Sequence, residues 1–175
     1  MSAPLSAPAA ATEGVDRTGK YLTFRLGAEE FGIQVLKVRE IMGMQEITAV
    51  PQTPGWIKGV INLRGKVIAV IDLRLKFGMP PEPYNQRTCI VVVQFADAGE
   101  KMLIGVVVDE VSEVANIAAG EVEDTPGFGA AVPTPYILGL AKQKNKVKIL
   151  LDIDRVLTNH EVDGVQLAVE AGEAQ

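Results

Sequence analysis

A chain of 175 residues, 47% of them hydrophobic, can bury one substantial core or two small ones that share a wall. With 17 basic against 22 acidic residues its formal net charge is −5, which supplies no broad positive surface for a nucleic-acid backbone or an anionic membrane. One cysteine and one histidine exclude an internal disulfide framework and a thiolate or imidazole metal cage.

In chain order, Ser2 to Gly14 is rich in Ala, Pro and Ser and has no apolar periodicity, so it reads as a flexible tail. Met1 to Lys20 lacks the basic start and apolar core of a secretion signal, and no apolar run approaches the roughly 18–20 residues of a membrane span. A cytoplasmic protein without direct membrane insertion is expected. Short runs rich in Val, Ile and Leu follow: YLTFRL, EFGIQV, GVINL, KVIAVI, TCIVVVQF, MLIGVVV and KVKILLDI. Their length, β-branched content and Gly/Pro/Asn punctuation predict a mostly-β fold of short strands with few short helices.

An internal repeat organises these strands. Trp56 to Val60 is echoed by Tyr136 to Leu140, and Lys66 to Leu73 by Lys146 to Ile153, all 80 positions apart, as 59 to 139 and 72 to 152 are. Gly32 to Val35 matches Gly105 to Val108 at an offset of 73, and Val38, Glu40 and Ile41 match Val111, Glu113 and Val114 at the same offset. The longer loop GEVEDTPGFGAAVPTP in the second copy absorbs the difference. Two modules follow, about 21–77 and 88–157, joined by the turn-rich GMPPEPYNQR. Asp72 and Asp152 suit N-caps of closing helical turns.

Catalytic constellations are not apparent. His160 lies past the last strong strand and reads as a solvated residue, and Cys89 sits among β-branched neighbours with no base to activate it. Of the serines, Ser2 and Ser6 lie in the tail, leaving Ser112. The pairs Glu29–Glu30 and Asp109–Glu110 flank strands and read as solvated charges, and Gly127-Phe128-Gly129 lacks the strand-to-helix frame of a dinucleotide loop. Lys142, Lys144, Lys146 and Lys148 alternate along one hairpin but have no interleaved aromatics for base stacking. A non-enzyme without cofactor or metal is expected, with proteins as its partners.

The segments YLTFRLGAEEFGIQVLKVREIMG, VPQTPGWIKGVINLRGKVIAVIDLRLKFG, IGVVVDEVSEV and ILLDIDRVL resemble the CheW family of bacterial chemotaxis coupling proteins. The resemblance implies two SH3-like five-stranded β-barrel subdomains packed about a shared apolar core. It implies a tail over 1–19, a CheW-like domain over 20–158 and a tail or helix over 159–175. It implies an adaptor joining the cytoplasmic tip of methyl-accepting chemotaxis receptors to the regulatory domain of the histidine kinase CheA, monomeric alone and built into arrays at receptor clusters on the inner face of the cytoplasmic membrane. An adaptor of a parallel chemosensory pathway with another output is the alternative.

Carried over residue by residue, the resemblance implies partner contacts at Val38, Glu40 and Ile41, at Gly59 and Arg64 of the hairpin, and at Phe128 in the long loop. For Val38 and Ile41 core packing and partner contact both stay open. The family-implied partner of Arg64 is Glu40, and the repeat suggests a matching pair between Glu113 and Lys144. Gly65 is expected to adopt positive φ and turn Arg64 outward, and Gly59 to allow a close backbone approach.

Overall fold

The computed structural model describes residues 17–97, 100–124 and 136–156. Its strands are β1 (Gly19–Leu26), β2 (Glu29–Gln34), β3 (Val38–Gly43), β4 (Ile57–Leu63), β5 (Lys66–Asp72), β6 (Cys89–Asp97), β7 (Glu100–Val108), β8 (Glu110–Ile117), β9 (Val122–Glu123), β10 (Ile137–Gln143) and β11 (Lys146–Leu151). Two helical turns, α1 (Leu73–Lys76) and α2 (Ile153–Val156), follow β5 and β11. Both begin at the expected aspartates. Asp72 accepts the amides of Arg74 at 2.9 Å and Leu75 at 3.4 Å, and Asp152 accepts that of Asp154 at 3.1 Å.

The strands form two sheets, a six-stranded one ordered β8-β1-β2-β11-β10-β9 and a five-stranded one ordered β3-β6-β7-β5-β4. The mostly-β fold of two packed subdomains expected from the sequence is present, with the short β9 as a sixth member of the first sheet. Each sheet mixes the two sequence copies: the β1–β2 hairpin of the first copy joins β8 to β11 of the second, and the β6–β7 hairpin of the second joins β3, β4 and β5 of the first. The modules 21–77 and 88–157 are thus repeats of sequence, and neither is a sheet by itself.

The exchange keeps register residue by residue. Parallel pairing sets Leu150 opposite Gly32 in the first sheet and Val70 opposite Gly105 in the second, positions that the repeat equates. Both glycines make room for their neighbours. A Cβ on Gly32 would lie 3.2 Å from Leu150 Cδ2, and one on Gly105 would lie 2.9 Å from Ile90 Cγ2 and 3.3 Å from Val70 Cγ2.

Central strands carry unbroken apolar runs because they are buried on both faces. Ile90 and Val92 of β6 pack with Ile61, Ile68, Val70 and Val107 inside the five-stranded sheet. Their neighbours Val91, Val93 and Phe95 face a central core with Phe24, Phe31, Ile71 and Leu151 from both sheets. On the other side, Tyr21, Ala115, Ile117, Leu138, Ala141 and Leu150 fill the curl of the six-stranded sheet. Cys89, at the start of β6, is half-buried against the shared core, and its thiol donates to the Arg87 carbonyl at 3.2 Å.

Two charged clamps bind each copy to the other. The Arg74 guanidinium on α1 pairs with Asp109 at 2.6 Å, and the same carboxylate oxygen accepts the Gly27 amide at 2.7 Å from the β1–β2 turn. In the second copy Asp154 on α2 pairs with Lys37 at 2.7 Å and accepts the Ala96 amide at 2.9 Å from the end of β6. The inter-copy linker is also fastened: Arg74 Nε donates to the Pro80 carbonyl at 3.0 Å, and the Tyr84 hydroxyl donates to Asp72 at 2.8 Å. Burial, then that bond to Asp72, raises the pKa of the Tyr84 hydroxyl well above its usual range.

Candidate partner-binding face

β3 alternates half-buried Val38, Glu40 and Met42 with exposed Arg39, Ile41 and Gly43, and a bulge between Val38 and Glu40 shifts its pairing with β6. Val38 packs against the shared core, whereas Ile41 is 45% exposed. Between β4 and β5 the two-residue turn Arg64–Gly65 has φ of +50° and +86°, the left-handed pair that matches the twist of a tight hairpin. Asn62 Oδ1 accepts the Gly65 amide at 2.8 Å, which gives the Asn of the Asn-Leu-Arg-Gly motif its part in shaping the tip.

Arg64 Nη2 lies 2.5 Å from Glu40 Oε1. β3 and β4 are the two edges of the five-stranded sheet, so this pair ties one edge to the other. A second tie sits below it. Thr48 and Val60 exchange both backbone hydrogen bonds at 2.9 Å, pinning the segment after β3 onto β4. Gly59 makes that possible: its φ is +143°, and a Cβ there would stand 2.1 Å from the Thr48 carbonyl oxygen and 2.9 Å from Ile47 Cγ2. The register shift of a bulge falls here, between Ile57 and Gly59, and recurs between Ile137 and Gly139.

Val38 and Ile41 pair with Val93 and Val91 of β6, which face the shared core, whereas Glu40 pairs with Val92, which packs on the other face of the five-stranded sheet, and of the expected residues the structure brings Glu40 and Arg64 into contact. Phe128 lies outside the described residues, as does His160. The suggested pair of Glu113 with Lys144 does not form. Lys144 sits in the β10–β11 turn with φ +52°, and Glu113 instead meets Lys148 at 3.3 Å. Curling of the six-stranded sheet brings β8 near β11 across two intervening strands, so the lysine that reaches Glu113 lies inside the curl, with its side chain only 6% exposed. The four alternating lysines consequently do not share one solvated face: Lys142, Lys144 and Lys146 are exposed and Lys148 is buried.

Sequence reasoning did not find Leu36, Lys66 and Lys101. Leu36 stands in the 3₁₀ turn Val35–Lys37, where the chain crosses from one sheet to the other, and is 86% exposed. A groove of about 290 Å³ beside it is lined by Leu36, Lys37, Arg39, Gln94, Phe95 and Lys101. It adjoins a second of about 420 Å³ that shares Arg39, Gln94 and Lys101 and continues past Leu63, Met102 and Leu103 to Arg64 and Lys66. Arg39 Nε donates to Gln94 at 2.7 Å, while Lys66 and Lys101 are exposed. The hydrogen bond to Glu40, and then its charge, raise the pKa of Arg64. No helix among the described residues is long and apolar enough to cross a membrane.

What this architecture defines is a binding scaffold, two curled sheets fixed to each other by a common core and presenting a charged hairpin beside an apolar groove. The chain belongs to the CheW-like family, whose domain model matches residues 20–161. It is 38% identical over 143 residues to the chemotaxis protein CheW of Klebsiella aerogenes, covering 82% of this chain and 84% of that one. It is 32% identical over 142 residues to CheW of Bacillus subtilis, covering 81% and 88%. Its fold is similar to the crystal structure of the scaffolding protein TtCheW from Thermoanaerobacter tengcongensis, with a TM-score of 0.73, 32% identity, and 82% and 95% of the two chains covered.

Proposed function

We propose that this protein is a non-enzymatic adaptor that holds the cytoplasmic tip of methyl-accepting chemotaxis receptors and the regulatory domain of the kinase CheA in fixed relation. The observation that carries the reading is the exposed Glu40–Arg64 pair, held at 2.5 Å across the two edges of one sheet. A 73%-exposed Arg64 side chain in such a pair adds little stability, yet its planar fork offers two parallel donors to a partner carboxylate. Val38 and Ile41 frame it from β3, and Gly59 sets the approach of β4. Phe128 contributes an aromatic contact to ring assembly with the kinase.

The receptor helix seats in the groove beside Leu36, where an apolar side chain left in water at the junction of the two sheets gains from being covered. The working unit is the 20–158 domain between tails 1–19 and 159–175. It is monomeric alone and gathers into arrays with its partners at the cytoplasmic face of the membrane.

Co-sedimentation with receptor-containing membranes, with and without CheA, tests the reading. Capture of the adaptor by receptors, raised by CheA and weakened by Arg64→Glu with the fold intact, is expected. Equal sedimentation of wild type and Arg64→Glu would remove the hairpin from the interface.

A further inference from the structure

The partner-facing hairpin of the first copy has a counterpart in the second, and the backbone sets both in the same way. Arg64 and Lys144 each stand first in a two-residue hairpin turn, with φ of +50° and +52°. Glu40 and Glu113 each follow a bulge in an edge strand, which passes over Arg39 where β3 pairs with β6 and over Ser112 where β8 pairs with β1. Ile41 and Val114 beside them are both exposed, and Val38 and Val111 both pack against the shared core. The two glutamates nevertheless part company. Glu40 reaches out to the tip at Arg64, whereas Glu113 turns to Lys148 at 3.3 Å.

One interior position separates the two cases. Where the second copy has Lys148 the first has Ile68, 80 positions earlier, buried with Ile61, Val70 and Val92. Lys148 is buried too, opposite the small Ala141 as Ile68 is opposite Ile61. An ammonium so enclosed needs an anion, and Glu113 supplies it. Gln143, at the place of Leu63, adds to this inward tie by donating to the Asn116 carbonyl and to Glu121, both at 2.9 Å. Ile68 makes no such demand on Glu40. An apolar residue at 148 would serve the fold as well, as Ile68 does in the first copy, so what the lysine adds is the placement of Glu113.

We infer that Lys148 is a specificity-determining residue. By drawing Glu113 into the curl of the six-stranded sheet it keeps the second hairpin from assembling the acid–base pair that the first one presents, so a partner segment bearing a carboxylate is taken at Arg64 and refused at Lys144. The binding half of this statement rests on the reading of the Glu40–Arg64 pair as a partner contact; the hold of Lys148 on Glu113 does not.

Crystal structures of Lys148→Ile and of Lys148→Met, the latter keeping the length of the native side chain, test the hold on Glu113. Its carboxylate is expected to swing outward to within about 4 Å of the Lys144 ammonium, the reach of an ion pair. A carboxylate that stays turned into the curl, or lies in solvent away from Lys144, in both variants overturns the inference. The binding half is tested by titrating the full chain with a soluble fragment of the receptor's cytoplasmic tip. Arg64→Glu is expected to lose binding, and Arg64→Glu/Lys144→Arg/Lys148→Ile to bind about 10-fold or more tightly than Arg64→Glu alone, the worth of one charge-assisted hydrogen bond. Arg64→Glu/Lys144→Arg, with Lys148 in place, should gain little. No gain in the triple variant, or an equal gain without Lys148→Ile, overturns the specificity role. If Arg64→Glu binds as wild type does, the reading of the first hairpin fails and the specificity role falls with it, while the crystal structures still decide what Lys148 does to Glu113.

Discussion

Arg74 and Asp154 occupy equivalent places in the two copies, second residue of each closing helical turn, and carry opposite charges. Each finds its counter-ion on the other copy, Asp109 for Arg74 and Lys37 for Asp154. The fold is thereby cross-locked twice with reversed polarity, which favours the native pairing of each helix over the swapped one, where like charges would meet.

The two locks differ in burial, and their worth should differ accordingly. Arg74 is 9% exposed and Asp109 33%, whereas Lys37 and Asp154 are each about a third exposed, at 29% and 32%. Arg74→Ala strands a partly buried carboxylate and is expected to cost about 2 kcal/mol in urea unfolding, below the cost for a fully buried pair because Asp109 reaches solvent. Lys37→Ala is expected to cost under about 1 kcal/mol. Equal losses would deny the burial argument.

Gly59 is expected to affect partner capture through the fold. A Cβ at 2.1 Å from the Thr48 carbonyl oxygen meets backbone that cannot rotate away, and φ of +143° is closed to an L side chain without strain. Gly59→Ala should therefore destabilise by about 3 kcal/mol or more and lower partner capture only through loss of native protein. Gly139→Ala, whose Cβ would meet Val122 Cγ1 at 2.8 Å and the Glu123 carbonyl oxygen at 3.1 Å without the positive φ of Gly59, should cost less. Thermal unfolding of the two variants gives the order directly.

Arg64 should behave the opposite way. Because its side chain is 73% exposed, Arg64→Glu is expected to change stability by less than about 1 kcal/mol. The loss should appear in binding. The double variant Glu40→Arg/Arg64→Glu restores the tie between the sheet edges with its charges reversed. Recovery of kinase or receptor capture in that variant, measured by titration, would show that the pair acts as a unit; continued loss would assign Arg64 a contact of its own with a partner carboxylate.

The strand content was legible because β-branched runs between turn residues have few other outcomes, and both N-caps were legible because Asp72 and Asp152 precede apolar turns. The repeat was legible too, down to the matched glycines. Its interleaving was not. Periodicity tells which residues of β2 and β5 face a core, but the parallel pairings of β2 with β11 and β5 with β7 join segments of different copies, a choice that depends on the packed whole. The same limit misassigned the partner of Glu113. The offsets of the repeat favoured Lys144, while the curl of the sheet delivers Lys148. Leu36 was missed because an apolar residue following the buried run Phe31-Gly32-Ile33 looks like its continuation, and only the 3₁₀ turn lifts it into solvent.

Asp152 gives the fold a pH dependence whose sign follows from its surroundings. Burial, then the nearby Asp154 charge, raise its pKa above the usual value, opposed by the Asp154 amide bond and Arg155. A carboxyl whose folded pKa is raised binds its proton more readily in the folded state, so its contribution is fully present below the unfolded pKa and is lost as pH rises through the folded one. The N-cap needs only the oxygen, which an amide also supplies. Asp152→Asn is therefore expected to keep α2 capped, to leave stability at pH 7 unchanged or slightly higher, and to flatten the decline in stability just above the usual carboxylate range. Urea midpoints for the two proteins from pH 3.5 to 7 would measure this. A variant clearly less stable than wild type at pH 7 would mean that the ion pair with Arg155, 3.6 Å away, outweighs the cost of burying the charge.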